Sequence, residues 1–267
     1  MHSIRRSVWA GSFYPARSDA LLLVVEHCLA EGRPASPEAA PRAIVAPHAG
    51  YVYSGAVAGS AYARLAVARG TVRTVWVLGP CHDTLCPMPA APTQGAFAGP
   101  LGEAPVDGET LADLVRDGLA EWHDAAHARE HSIEVQLPFV RMSLGEVRIV
   151  PLLLNASLPE EAAALIERAL DDPAAAVVVS TDLSHGLSPE AARERDRSTA
   201  GRVERGELVA SSDACGACAL NGLALAAARR GLALRCVDLR HSGDTAGIGD
   251  RVVGYGAFAT VPAPAAA

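Results

Sequence analysis

The sequence predicts an α/β fold built on a doubly wound sheet, and three observations carry that expectation. Short apolar runs at 43–46, 72–78, 147–154 and 175–180 have strand length, and the first, with Ile44 and Val45 side by side, reads as buried on both faces. Helical patterns at 54–68 and 159–171 alternate with these runs, which is the signature of strand–helix–strand units. Finally, several runs break at proline, glycine or serine and deliver a histidine or aspartate at once, and in open α/β sheets ligands sit just beyond such carboxyl ends.

Composition narrows the function. The chain has 267 residues, half of them apolar, and no evident linker, so a single domain over 1–267 is expected. A net charge of −7 with arginines scattered among acids offers no basic stripe, which argues against a nucleic-acid surface. No apolar run approaches the ~20 residues of a membrane-spanning helix. The amino terminus, Arg5-Arg6 followed by Trp9-Ala10-Gly11-Ser12, lacks the apolar core of a signal peptide, so a cytoplasmic protein with no membrane partner is expected. The six cysteines then read as free thiols. Cys215-Gly-Ala-Cys218 is a lone CxxC without a second ligand pair at a usual spacing, and Cys215 is expected to cap or pack a helix start.

Taken in order, Ser18-Asp19 opens a helix over 18–31 that ends near Gly32. Residues 33–41, with Pro34, Pro37 and Pro41, form a loop. Ala43-Ile-Val-Ala46 is a core strand stopped by Pro47, after which His48 enters a turn at Gly50 and a small-residue helix follows over 54–68. Val75-Trp76-Val77-Leu78 runs in the same way into Gly79-Pro80-Cys81-His82. Residues 86–108 read as irregular, with one short edge strand, and 109–118 as helix. His123, His127 and His131 stand four apart and would share a face on one continuous helix, but Ser132 is an N-cap for the periodic Ile133 to Leu137, which leaves His131 outside as a pocket residue. After the strands at 147–154 and 175–180, Ser180-Thr-Asp182-Leu-Ser-His185 brings an aspartate and a histidine three apart, the arrangement of a carboxylate-oriented acid or base. A charged helix over 190–206, a buried one over 216–230 and strands at 233–239 and 251–260 complete the chain. Between the last two strands, the glycine-marked loop 240–247 carries Asp244.

His48, His82 and Asp244 would make two imidazoles and one carboxylate, the donor set of non-haem iron(II) oxygenases, which leaves positions open for dioxygen and a chelating substrate. The same trio could hold zinc for hydrolysis. Asp244 is the weakest member: a Ser-Gly-Asp turn also uses its aspartate to bond its own backbone, and His241 is a rival third ligand.

The segments Ala10-Gly-Ser-Phe13-Tyr-Pro15, Ala46-Pro-His48-Ala-Gly-Tyr-Val-Tyr53-Ser-Gly55, Leu78-Gly-Pro-Cys81-His82, Glu130-His131-Ser-Ile-Glu-Val-Gln-Leu-Pro138 and Ser180-Thr-Asp182-Leu-Ser-His185 together resemble the Memo family, in order and over nearly the whole chain. The resemblance implies a single-domain α/β/α sandwich with a mostly parallel or mixed central sheet, similar to class III extradiol ring-cleavage dioxygenases. It also implies a metal at His48 and His82, Fe(II) before Zn or Cu, with Asp182, His185 and His131 as catalytic neighbours and Phe13, Tyr53 and Cys81 around a small-molecule substrate. Bacterial members are associated with AMMECR-type and radical-SAM proteins, which become possible partners. Some members place a cysteine as third ligand in the loop where this chain has Ser242-Gly-Asp244-Thr245, and Asp244 would restore a carboxylate there. Two classes of function follow: an iron-dependent oxygenase of small, catechol-like substrates, or a scaffold that keeps the pocket for metal, redox or peptide binding without turnover.

Overall fold

The computed structural model describes residues 3–36, 38–247 and 249–263, so Pro37 of the expected proline loop lies outside the described residues. The elements are β1 (Ile4–Arg6), α1 (Ser18–Glu31), β2 (Ala43–Ala46), α2 (Tyr51–Leu65), β3 (Thr74–Gly79), β4 (Ala90–Ala91), β5 (Ala96–Gly99), β6 (Gly102–Pro105), α3 (Gly108–Arg116), β7 (Glu121–Trp122), α4 (Asp124–Ala128) and α5 (Leu137–Leu144). They continue with β8 (Arg148–Leu153), α6 (Pro159–Asp171), β9 (Ala175–Ser180), β10 (His185–Leu187), α7 (Pro189–Glu204), α8 (Ala217–Arg229), β11 (Leu232–His241), α9 (Ser242–Thr245) and β12 (Val252–Pro262).

The central sheet runs β10-β12-β2-β9-β3-β8-β4-β7, with β11 on β12. Its middle strands, β2, β9, β3 and β8, are parallel to one another, while β12 runs antiparallel to β2 and β4 antiparallel to β8, so the sheet is mixed. Parallel strands carry helices on both faces and need apolar side chains on both. Thus Ile44 and Ala46 of β2 and Val75 and Val77 of β3 pack into one core with residues of α1, α2 and α5. Ala43, Val45, Trp76 and Leu78 pack into the other with residues of α3, α6, α7 and α8. The fold is therefore an α/β/α sandwich, as the strand and helix pattern predicts.

Two expectations change. Residues 86–108 hold three short strands instead of one edge strand, and β5 and β6 join β1 in a separate three-stranded sheet. Ser132 does not cap a helix: its hydroxyl donates to Pro80 O (2.7 Å), a 3-10 turn spans Glu134–Gln136, and α5 begins only at Leu137. The dismissal of the three-histidine face agrees with the structure, in which His123 caps α4, His127 lies buried inside it and His131 stands beyond it. No helix among the described residues is long and apolar enough to cross a membrane.

A candidate metal centre at the strand tips

The order β2-β9-β3 sets the site. Pro47 has no N–H with which to extend β2, and Pro80 stands just beyond the end of β3, so His48 and His82 emerge on either side of the tip of β9, which supplies Ser180 to Asp182. The imidazoles meet edge to face with centroids 5.2 Å apart. Cys215, just before α8, brings its Sγ to 3.3 Å from His48 Nε2. Ligand atoms of His48, His82 and Cys215 all lie within 4.8 Å of one another.

The surroundings fix which ring nitrogens face this space. Ser180 donates its hydroxyl hydrogen to Ser132 O (2.6 Å) and accepts from Gln136 Nε2 (2.9 Å), so at 2.9 Å it can only accept from His48 Nδ1. His48 therefore carries its proton on Nδ1 and presents a lone pair on Nε2 toward Cys215. His82 Nδ1 likewise donates to Glu130 Oε1 (2.9 Å), which turns its Nε2 toward Cys215. Histidine ligands are usually oriented by such a partner on the other nitrogen. Burial alone would lower the His82 pKa, but Cys215 and Glu130 outweigh it and raise it to about 9. Burial would raise the Glu130 carboxyl, yet the His82 ring, followed by backbone N–H groups including that of Ser132, pulls it down to about 2.

His131 stacks on His82 with centroids 4.4 Å apart and is covered by Phe13 (4.7 Å) and Trp9 (5.7 Å). Burial, and then the neighbouring His48 and His82, push its pKa down to about 4, so it is neutral near pH 7. His82, Glu130 and His131 form a second group of close ligand atoms. The Glu130 carboxylate, however, already accepts from His82 N, His82 Nδ1, His131 N and Ser132 N, and a cation there would have to displace those bonds. The trio with Cys215 is the better donor set.

The other sequence-derived candidates divide. Asp182 is buried beside the centre, but Oδ1 accepts the His48 backbone N–H (2.8 Å), so the carboxylate braces the His48 turn and does not orient His185. His185 is exposed at the start of β10, with Nδ1 on Leu183 O (2.9 Å), and among the described residues it makes no ring contact with His48, His82 or His131; the expected Asp182–His185 pair does not form. Asp244 is not gathered with His48 and His82. Its carboxylate accepts from Arg193 (2.7 Å) and from the His241 N–H (3.1 Å), and His241 Nδ1 accepts from Asp244 N, a reciprocal cap at the start of α9. Phe13 covers His131, Tyr53 is exposed on the first turn of α2, and Cys81 is buried behind His82.

Cys215 is the member that sequence reasoning missed. It does stand at a helix start, as expected, but its sulfur accepts from Asp182 N (3.3 Å) and faces His48. The only signal was the CxxC, discounted for want of a second pair, whereas the remaining donors are the two strand-tip histidines.

A family model described as Memo-like protein matches residues 5–259. The chain is 38% identical over 208 residues to a MEMO1 family protein of Methanopyrus kandleri, with 73% of each chain covered. It is 32% identical over 273 residues to one of Thermotoga neapolitana, covering 94% of this chain and 98% of the relative. A third, from Aquifex aeolicus, is 31% identical over 268 residues, with coverage of 94% and 97%.

Proposed function

Starting from the fact that this chain belongs to the Memo-like family, we propose that it binds one metal ion between His48, His82 and Cys215 and uses it as an iron-dependent oxygenase of a small, catechol-like substrate. The observation that carries the reading is the pair of Nε2 atoms, each aimed by a partner on the opposite nitrogen, converging on one thiol. Two imidazoles and a thiolate suit Fe(II), Zn(II) or Cu, and three protein donors leave coordination positions open. One thiolate also leaves a bound divalent ion at net +1, the same charge that the expected carboxylate would give. When bound, Fe(II) would supply the meeting point of dioxygen and a chelating substrate. Glu130 and Ser180 hold the ligand rings, Asp182 fixes the His48 turn, and Trp9 and Phe13 screen one side from water. Neutral His131, stacked on His82, is placed to accept a proton from a substrate hydroxyl, the role first expected of His185.

Anaerobic reconstitution with Fe(II), metal analysis and oxygen uptake with a catechol panel test the reading. Wild type should hold about one metal per chain, and His48→Ala, His82→Ala and Cys215→Ala should lose it with far-UV circular dichroism unchanged. Asp244→Asn should retain it. Metal retained in Cys215→Ala and lost in Asp244→Asn would return the third position to Asp244. Full metal occupancy without oxygen uptake would favour a metal-holding scaffold over an oxygenase.

A further inference from the structure

The loop that presents His82 has a cysteine at each end, Cys81 and Cys86. Between them His82, Asp83 and Leu85 are exposed, while both cysteines are buried, at 5% and 0% exposure. Both thiols thus point inward from one short loop into the same apolar cluster. A single side chain clips the loop shut. Asn155 accepts from Cys86 N (2.9 Å) and donates to Cys81 O (2.8 Å) and Thr84 O (2.7 Å). Neither sulfur has a strong partner: Cys81 Sγ lies 3.9 Å from Ala126 O and Cys86 Sγ 3.7 Å from Thr84 O.

We propose that Cys81 and Cys86 are a site of reversible oxidation, closing to a disulfide that displaces His82 and weakens the metal centre. With hydrogen peroxide as oxidant, the Cys81 sulfur attacks one peroxide oxygen, the O–O bond breaks, and one water leaves as Cys81 becomes a sulfenic acid. The Cys86 sulfur then attacks Cys81 Sγ, the S–O bond breaks, and a second water leaves with the remaining thiol proton. Two thiols lose two electrons in all and peroxide gains them. Cys81 is assigned the first step because it adjoins the open His82 side, whereas Cys86 is fully enclosed. Bond formation brings the sulfurs to about 2.05 Å, a contraction inside a loop whose ends Asn155 already holds together. The backbone of Cys81 leads directly into His82, so the contraction is felt first at the His82–Glu130 hydrogen bonds.

The effect on metal rests on the metal reading above, but disulfide formation does not, and the two are measured separately. The full chain is treated with one equivalent of hydrogen peroxide, its free thiols are alkylated after denaturation, and it is digested at Asp83 without reductant. Cleavage there separates Cys81 from Cys86 unless a disulfide joins them. The expected product is the linked pair, absent in Cys86→Ser, where dimedone labels Cys81 instead. Alkylation of both cysteines in treated wild type, or a Cys215–Cys218 bond as the main product, overturns the proposal. Zn(II) affinity of oxidised wild type should fall about 10-fold, comparable to losing a ligand-orienting contact. Cys86→Ser given the same treatment should not show that fall. Equal affinity before and after verified disulfide formation overturns the coupling, whereas reduced wild type that binds no Zn(II) counts against the metal centre itself.

Discussion

Single residues show where sequence can speak for a site and where it cannot. His48 and His82 were legible because Pro47 and Pro80 end strands in the plain text of the chain, and a residue past a buried strand has only the sheet edge to occupy. Cys215 was not, since its partner His48 lies 167 residues away and only the packing of α8 against the tip of β9 joins them. Asp244 stands apart from the two histidines for the local reason weighed against it, a cap satisfied within three residues. His127 illustrates a third case, a histidine that titrates for stability. It is wholly buried with Nε2–H on Ala90 O (2.9 Å), and burial, followed by nearby Arg5, lowers its pKa to about 4. Unfolded, it would titrate near 6.5, so the unfolded chain binds the proton first as pH falls. Its contribution is fully present above pH 6.5 and is lost on descent to about pH 4, amounting to a few kcal/mol at ~1.4 kcal/mol per unit. His131 and Glu130, whose pKa values are also depressed, lose stability in overlapping windows, so the effect is isolated by difference. Between pH 7 and pH 4.5 the urea midpoint of wild type should drop further than that of His127→Gln. Parallel drops would mean that His127 is protonated when folded.

At the level of elements, periodicity located the helices and core strands well, and α1 matches its expected span of 18–31. The strands in 86–108 are two to four residues each, too short for any period to register: β5 pairs with the N-terminal strand and with β6, while β4 joins the central sheet beside β8 and β7. Close approaches were equally invisible. A methyl group at Gly79 would stand 2.6 Å from Ser132 Oγ, so glycine there lets Ser132 reach Pro80 O and draws Glu130 toward His82. One at Gly216 would stand 2.7 Å from Ser180 O and 2.8 Å from Thr181 Cβ. Neither neighbour is the free end of a flexible chain, so the start of α8 must move and Cys215 with it. Gly216→Ala should fold with a loss of about 1–3 kcal/mol, as overpacking commonly costs, yet purify with sharply reduced metal. Gly59→Ala meets Cys28 O at 2.1 Å where α2 packs on α1, and it should lose stability while keeping its metal. Equal metal content in the two variants would detach Cys215 from the centre.

Across the whole molecule, the site is assembled from segments as distant as Trp9 and Cys215, and one buried ion pair ties the amino-terminal arm into it. Arg5 bonds Glu134 (2.6 Å), His127 O (2.6 Å) and Glu130 O (2.8 Å), thereby clamping the segment that carries Glu130 and His131. Glu134 in turn accepts from Trp9 N (2.8 Å), Val8 N (3.1 Å) and the Tyr14 hydroxyl (2.7 Å). This is how Trp9 and Phe13 come to lie over His131. The pair is asymmetric, because each member leaves a different remainder when removed. Arg5→Met leaves Glu134 buried but still bonded by three donors and takes one donor from each of His127 O and Glu130 O, whereas Glu134→Leu leaves a buried guanidinium without counter-charge and three donors without an acceptor. Removing one partner of a buried pair commonly costs about 3–5 kcal/mol, and that range is expected for Glu134→Leu. Arg5→Met should fall below it, nearer the 1–3 kcal/mol of an unmatched buried hydrogen bond. Urea titration of both variants gives the order, and native-state trypsin gives the consequence: cleavage after Arg6 should quicken most in Glu134→Leu, as the arm detaches. A larger loss for Arg5→Met, or an arm equally resistant in both, would show that the arm is held by its strand pairing with β5 and not by Glu134.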